Sequence, residues 1–257
     1  MTRISQQERR GVLEFKIEAF IMNEYKELMK EENLVFLQVI GHIHTDYPSK
    51  FGIPRQSGLV SSAKAFITFE PEFKNPDCFR GIEEFSYLWL IWGFSENREA
   101  GWTPTVRPPR LGGNVRKGVF ATRAPFRPNP IGLSSVRLEA LEFHPEKGPV
   151  LHISSADLMD GTPIYDIKPY IPYTDSHPDA SGSFSNTGLE HRLKVCCGDE
   201  LLSRIPQDKQ KALLETLELD PRPSYQDDPE RMYGMEFDCF DVHFHVERDT
   251  LFVDEIK

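Results

Sequence analysis

The sequence predicts a mainly β protein, a barrel or curled antiparallel sheet, with a helix in front and a small acidic α+β appendage behind. Segments rich in β-branched and aromatic residues recur along the middle of the chain. No regular helices separate them, which disfavours a doubly wound sheet and favours a closed or curled antiparallel one. Around residues 174–190 the composition shifts to Asp, Ser, Gly, Pro and Asn, which marks a boundary. These features divide the chain into an N-terminal helical extension (1–34), a β domain (35–180) and a C-terminal α+β domain (190–257).

The first element is a helix from Ser5 to about Glu32. Ser5 and Glu8 form an S-x-x-E capping box, and Leu13, Ile17, Phe20, Ile21 and Leu28 recur at helical spacing. It reads as a packing or dimer element. Strands are predicted over Val35–His44, Ala65–Glu70, Phe85–Phe94, Gly118–Thr122, Ile131–Phe143 and Val150–Leu158. A second helix is predicted from Pro206 to Leu219, since proline suits a first helical turn. Near the end, Phe240, Val242, Phe244 and Val246 alternate with Asp241, His243 and His245, the pattern of a half-buried strand.

At 257 residues, 39% of them apolar and 18 of them Phe, the chain can bury a sizeable core. No apolar run approaches the ~20 residues of a membrane span, and no secretion signal is recognisable. The four cysteines form no CxxC pair, so reduced thiols in the cytoplasm are expected. The net charge of −10 argues against nucleic acid as a partner, but its distribution does not. From Arg98 to Arg137 there are eight basic residues and one acid, a local charge of +7. A basic surface on an acidic protein focuses an anionic ligand on one place.

Most of that charge lies in Pro104–Gly132, a stretch too rich in Pro, Gly and Arg for ordinary helix or sheet. Rigid loops of this kind concentrate binding and catalysis. Within it, Phe126-Arg127-Pro128-Asn129-Pro130 holds one asparagine between two prolines. Its amide offers donors and an acceptor in a nearly fixed direction, suited to a base or ribose edge; a tight turn is the structural alternative. Asp157-Leu-Met-Asp160-Gly-Thr-Pro163 ends a strand with two carboxylates three apart, though Asp-Gly is also a hairpin signal. Ile53-Pro54-Arg55-Gln56 is a third rigid polar loop. Three such loops at strand ends could converge on one pocket. Gly112-Gly113 lacks the spacing of a dinucleotide fingerprint or a P-loop. The histidine pairs His42/His44 and His243/His245 lack further ligands at fixed spacing, so no metal site is expected. There is no G-x-S-x-G elbow.

Together these residues resemble the bacterial-type tRNA methyltransferases that methylate N6 of threonylcarbamoyladenosine just 3′ of the anticodon. The likeness covers about residues 35–257. It runs through Pro54-Arg55-Gln56, Arg80–Glu83, Phe85–Trp89, Arg107–Gly113 and Gly118–Arg123. It continues through Phe126–Gly132, Asp157–Pro163, Asp166–Pro169 and Asp220–Pro223. The resemblance implies a single-sheeted antiparallel β-barrel working as a homodimer with S-adenosylmethionine. It implies cofactor contacts at Pro54, Arg55 and Gln56, at Ser95 and Glu96, at Arg123 and Leu133, and along Ser154, Ser155, Ala156 and Asp157. The chain departs from the family pattern at Tyr87, where His is usual, and at Ser57, where Pro is usual.

In that reading the sulfonium is already activated, and holding the nucleophilic nitrogen in line with the methyl group can supply ~7–11 kcal/mol of the barrier. No metal or covalent nucleophile is needed. Asn129 is expected at the reacting adenosine, Asp157 and Asp160 as candidate bases, and Arg110 or Arg127 at the threonyl carboxylate, as a bidentate pair. The rival readings are a non-catalytic barrel that binds S-adenosylmethionine or RNA, and a methyltransferase for another small anionic substrate. The local +7 predicts that tRNA affinity falls steeply with salt as counterions are released. A filter-binding titration between 50 and about 200 mM salt that gives a flat response contradicts phosphate tracking by this segment.

Overall fold

The computed structural model describes residues 35–96, 101–112, 114–186, 191–222, 228 and 230–257, so the helix expected over Ser5–Glu32 lies outside the described residues. Val39–Lys257 form one compact unit, distinct from Met1–Gln38. Its first half is built on strands β1 (Gly41–His44), β2 (Lys64–Phe69) and β3 (Tyr87–Gly93). After them come a two-residue ribbon, β4 (Thr105–Val106) with β5 (Lys117–Gly118), then β6 (Ile131–His144), β7 (Gly148–Ser154) and β8 (Pro163–Pro169). Six strands form one antiparallel sheet in the order β1-β2-β7-β6-β3-β8. β8 pairs with β1 as well as β3, through Gly41↔Ile164 and His42↔Pro163, so the order returns on itself and each strand has two neighbours.

Alternation along the strands decides what lies inside. Ile43, Ala65, Ile67, Phe69, Leu88, Leu90, Val136, Leu151, Ile153 and Ile164 are buried together in one core. The residues between them face outward, as a period of two requires. Antiparallel pairing also fixes the loops. Strands that alternate in direction bring the connections 45–63, 94–130 and 155–162 to the same end of the sheet. These three connections hold the Pro54-Arg55-Gln56 motif, the arginine-rich segment, and Asp157 with Asp160.

The second half contains a short helix α1 (Pro172–Asp175), strand β9 (Lys194–Cys196), and helices α2 (Asp199–Leu202) and α3 (Gln207–Glu218). Strands β10 (Tyr233–Phe237), β11 (Phe240–Glu247) and β12 (Thr250–Ile256) follow. They form a four-stranded sheet in the order β10-β11-β12-β9, parallel only between β12 and β9. Leu213 and Leu217 of α3 pack with Phe237, Val242, Phe244 and Ile256 of the sheet. Tyr47, Val60 and Ala63 of the 45–63 connection belong to the same core.

Polar contacts tie that connection to α3 as well. Lys209 Nζ lies 2.6 Å from Asp46 Oδ1 and 2.7 Å from Asp238 Oδ2. Glu215 Oε2 accepts from Ser62 Oγ at 2.8 Å, and Tyr47 Oη lies 3.0 Å from Thr216 Oγ1. Burial pushes the Tyr47 phenol well above its ordinary value. A loop pinned at both ends by a neighbouring helix forfeits the freedom that loops ordinarily have.

Several elements differ from the sequence expectation. The first strand starts at Gly41 rather than Val35, and residues 35–40 have no regular structure. The strand expected over Gly118–Thr122 is only the second residue of β5 followed by a 3-10 turn, Val119–Ala121. There Val119 is buried and Phe120 is 79% exposed, and Val119 N donates to Pro104 O at 3.0 Å. β8 escaped the pattern because proline stands at both ends, and Asp166 and Lys168 dilute its apolar content. Its pairing with β1 and β3 supplies what local propensity lacks.

Burial alone would push Lys209 down, but the hydrogen bonds it donates to Asp238 and Asp46, with their negative charges, overcome this and hold the ammonium above its ordinary value. Its contribution is therefore present at neutral pH and is lost as pH rises through that raised value. Lys209→Ala should lower the unfolding free energy by roughly 1–3 kcal/mol, read from urea denaturation at pH 7. An unchanged midpoint would show that the two contacts add nothing.

Candidate functional site

The three converging connections are stitched together by their backbones. Gly58 N donates to Ser155 O at 3.0 Å and Ser155 N donates to Ala63 O at 2.9 Å. Ser155 sits at φ 65°, a left-handed conformation that few non-glycine residues adopt. That turn redirects the chain out of β7 so that Asp157 reaches the end of the sheet. Phe94 N donates to Pro130 O at 3.0 Å, which closes the long 94–130 loop at its base. Ser95 and Glu96 follow directly, at the same end of the sheet.

At this end Arg123 Nη1 donates to Gln56 Oε1 at 2.6 Å, joining two motifs 67 residues apart. Arg123 is exposed. Arg55 turns the other way: its Nη2 lies 3.3 Å from Arg222 O and 3.4 Å from Asp220 O. Arg222 in turn forms a bidentate pair with Asp220, at 2.8 and 2.9 Å. Asp220 and Arg222 thus brace the Pro54-Arg55-Gln56 loop through Arg55.

The two acids of the Asp157–Pro163 motif part company. The Asp160 carboxylate accepts from Thr45 N at 3.1 Å and lies 3.5 Å from His44 Nδ1, on the β1 side. Asp157 turns toward β6, where Ser134 Oγ donates to its Oδ1 at 2.5 Å. Trp92 Nε1 donates to the same Ser134 oxygen at 3.0 Å. Burial pushes the Asp157 carboxyl above the ordinary carboxylate range. The Ser134 hydroxyl, the backbone N–H groups of Asp157 and Ser57, and the Arg123 charge oppose this without cancelling it.

Of the other expected site residues, Ser154 is buried and donates to Glu139 Oε1 at 2.6 Å. Ala156 packs in the sheet core. Leu133, paired with Ile91, is 47% exposed on the outer face of β6, opposite to Ser134. Asn129 uses its carbonyl to accept from Ile131 N at 2.7 Å. Its amide is exposed and takes no partner among the described residues. Arg127 is half-buried and folds onto its own loop, Nη1 donating to Thr122 O at 3.0 Å and Ala124 O at 3.4 Å. Arg110 lies in the 3-10 turn Pro109–Leu111.

The structure therefore brings Gln56, Arg123 and Asp157 together, and leaves Arg55, Leu133 and Asp160 facing elsewhere. Sequence reasoning missed Trp92 and Ser134. One signal was available for Ser134: it is a polar residue on the inward register of β6, between buried Gly132 and Val136. A buried hydroxyl there must find a partner.

Fold and loops bring these motifs to one end of an antiparallel sheet, in a mainly β protein with a second α+β portion. Residues 42–176 match the tRNA-methyltransferase O N-terminal domain, and residues 191–257 match the TrmO C-terminal domain. The chain belongs to the tRNA-methyltransferase O family. It is 43% identical over 216 residues to the tRNA (adenine(37)-N6)-methyltransferase of Escherichia coli K12, covering 80% of this chain and 91% of that protein. A Pseudomonas aeruginosa protein, named among the S-adenosylmethionine-dependent methyltransferases, is 39% identical over 82% of this chain and 93% of its own length. The crystal structure of TrmO from Pseudomonas aeruginosa superposes with a TM-score of 0.70 at 33% identity, over 87% of this chain and 97% of that one.

A carboxyl raised by burial favours the protonated form in the folded state. Its contribution to stability is thus lost as pH climbs from the unfolded value through the raised one. Asparagine at 157 has no such dependence. The difference in Tm, Asp157→Asn minus wild type, should grow between about pH 4 and pH 8 in scanning calorimetry. A difference that is flat or shrinking would overturn burial as the dominant influence.

Proposed function

We propose that this protein transfers the methyl group of S-adenosylmethionine to N6 of threonylcarbamoyladenosine at position 37 of tRNA. The contact between Gln56 and Arg123 carries this reading, because it joins two of the motifs on which the family resemblance rests. In it, the six-stranded sheet is the methyltransferase barrel. Residues 35–180 form the catalytic domain, and 190–257 form a smaller domain that braces the 45–63 loop.

The cofactor lies at the loop end, against Pro54, Gln56, Arg123 and the backbone of Ser154–Asp157. Ser95 and Glu96 complete its border. The cofactor supplies an activated methyl group, and the residues around it hold, orient and exclude water. Asn129, whose amide is exposed and free among the described residues, reads the adenosine edge. Arg110 or Arg127 takes the threonyl carboxylate. Asp157 is the acid placed to receive a proton from the reacting nitrogen, since Asp160 faces His44 and Thr45 instead.

We infer a homodimer formed across the outer face of β3 and β6, where Tyr87, Ile131 and Leu133 are exposed by 41, 36 and 47%. Leu133 points away from its own Ser134 side, so in this reading it serves the neighbouring copy's site. The expected setting is the cytoplasm, where tRNA is processed. No helix among the described residues is long and apolar enough to cross a membrane.

One assay separates these readings: labelled S-adenosylmethionine offered with tRNA that carries, or lacks, threonylcarbamoyladenosine. Transfer should occur only to the modified tRNA. Equal transfer to both removes the threonylcarbamoyl requirement, and no transfer to either favours a non-catalytic binding barrel.

A further inference from the structure

We propose that Trp92 and Ser134 are positioning residues of the cofactor site, acting through Asp157 as a relay with a fixed direction. The direction follows from the chemistry of the groups. An indole N–H can only donate, so Trp92 Nε1, at 3.0 Å, occupies an acceptor position on Ser134 Oγ. A serine hydroxyl has a single proton. At 2.5 Å from Asp157 Oδ1, that proton goes to the carboxylate. Ser134 is 1% exposed, so water offers it no competing partner. The relay therefore favours the ionised carboxylate, against the burial that disfavours it.

The position of the indole is equally constrained. It lies over Gly132, where a Cβ would come within 2.2 Å of the ring. The ring of Phe94 braces it edge-on, with centroids 4.5 Å apart. Gly132 ends the Asn129-Pro130-Ile131-Gly132 motif, so the motif that presents Asn129 also makes room for the indole. β6 supplies Ser134 and the adjacent strand β3 supplies Trp92, across the Trp92↔Gly132 pair.

The groups facing Asp157 come from every connection packed round it. They are Ser134 from β6, the Ser57 backbone from the 45–63 loop and the Arg123 charge from the 94–130 loop. An ionised, fixed Asp157 therefore holds the 54–57 segment and Arg123 against each other. A protonated or freely rotating one releases them. The relay prepares the cofactor site before substrate arrives.

This inference rests on the cofactor placement given above but not on the threonylcarbamoyl requirement, and its readout needs no tRNA. S-Adenosylmethionine affinity would be measured by calorimetric titration from about pH 5 to pH 8. The proteins are wild type, Trp92→Phe, Ser134→Ala, Ser134→Thr and Arg123→Ala, each first checked for a wild-type circular dichroism spectrum. Losing the Ser134 proton raises the Asp157 pKa. Ser134→Ala should thus move the acid limb up by about one pH unit, binding up to about tenfold more weakly on the acid side and converging on wild type as pH rises past the limb. Trp92→Phe keeps an aromatic ring but frees the hydroxyl, and should shift the limb the same way by less. Ser134→Thr restores a hydroxyl and should recover most of the loss.

If Arg123→Ala loses cofactor while Ser134→Ala and Trp92→Phe keep the wild-type affinity and limb, the placement stands and the relay falls. Weakening that is uniform across pH in both relay variants also overturns it, since that is what a purely structural role gives. If none of the three loses cofactor, the placement itself is wrong and takes the relay with it.

Discussion

The arrangement depends on one constraint: six antiparallel strands whose pairing order returns on itself. Antiparallel neighbours reverse direction at every step, so connections that leave alternate strands must meet at one end. Without β8 pairing to both β1 and β3, the 155–162 connection would hang at an edge. With that pairing, it lies beside the 45–63 and 94–130 connections. Every contact of the candidate site, from Gln56 with Arg123 to Ser134 with Asp157, spans loops or strands that this alternation brings together.

The cost of such a site is a carboxylate held away from water. Asp157 is stabilised by a hydroxyl whose own orientation is set by an indole, and by the charge of Arg123. Charge-assisted hydrogen bonds are stronger than neutral ones, and most so where water is excluded. The same burial that raises the Asp157 pKa also strengthens whatever the carboxylate holds in place. A tension of this kind between stability and local charge is characteristic of functional sites.

The C-terminal portion has a mechanical role in this scheme. α3 contributes Lys209, Glu215 and Thr216 to the 45–63 connection, and Asp220 with Arg222 backs Arg55. The shared core of Tyr47, Val60 and Ala63 with Leu213, Leu217 and Phe244 makes that support continuous. A loop that must place Gln56 to within hydrogen-bond distance of Arg123 needs this rigidity, because a displacement of an ångström at a reacting centre is expensive.

How much of this was legible in the sequence varied with the range of the interaction. Runs of β-branched and aromatic residues located β2, β3, β6 and β7, period-two alternation located β11, and proline before a helical run located α3, because those signals are local. The family likeness rested on motifs quoted residue by residue, and it pointed to the three loops that the structure brings to one end of the sheet. β8, the ends of β1, and the short 3-10 turn that replaced a strand at Val119 were not legible, since neighbours distant in sequence decide them. The same holds within the site. Asp157 and Asp160 look like a pair when read three apart in a row, yet the turn after Ser155 sends one to Ser134 and the other to His44. By itself the sequence determined the chemistry available: a mainly β chain, three rigid loops, a local excess of arginine and two acids. Only the tertiary structure decided which acid faces Arg123, and that Trp92 and Ser134 stand behind it. Direction in a hydrogen-bond relay depends on which groups meet, and strand pairing sets those meetings.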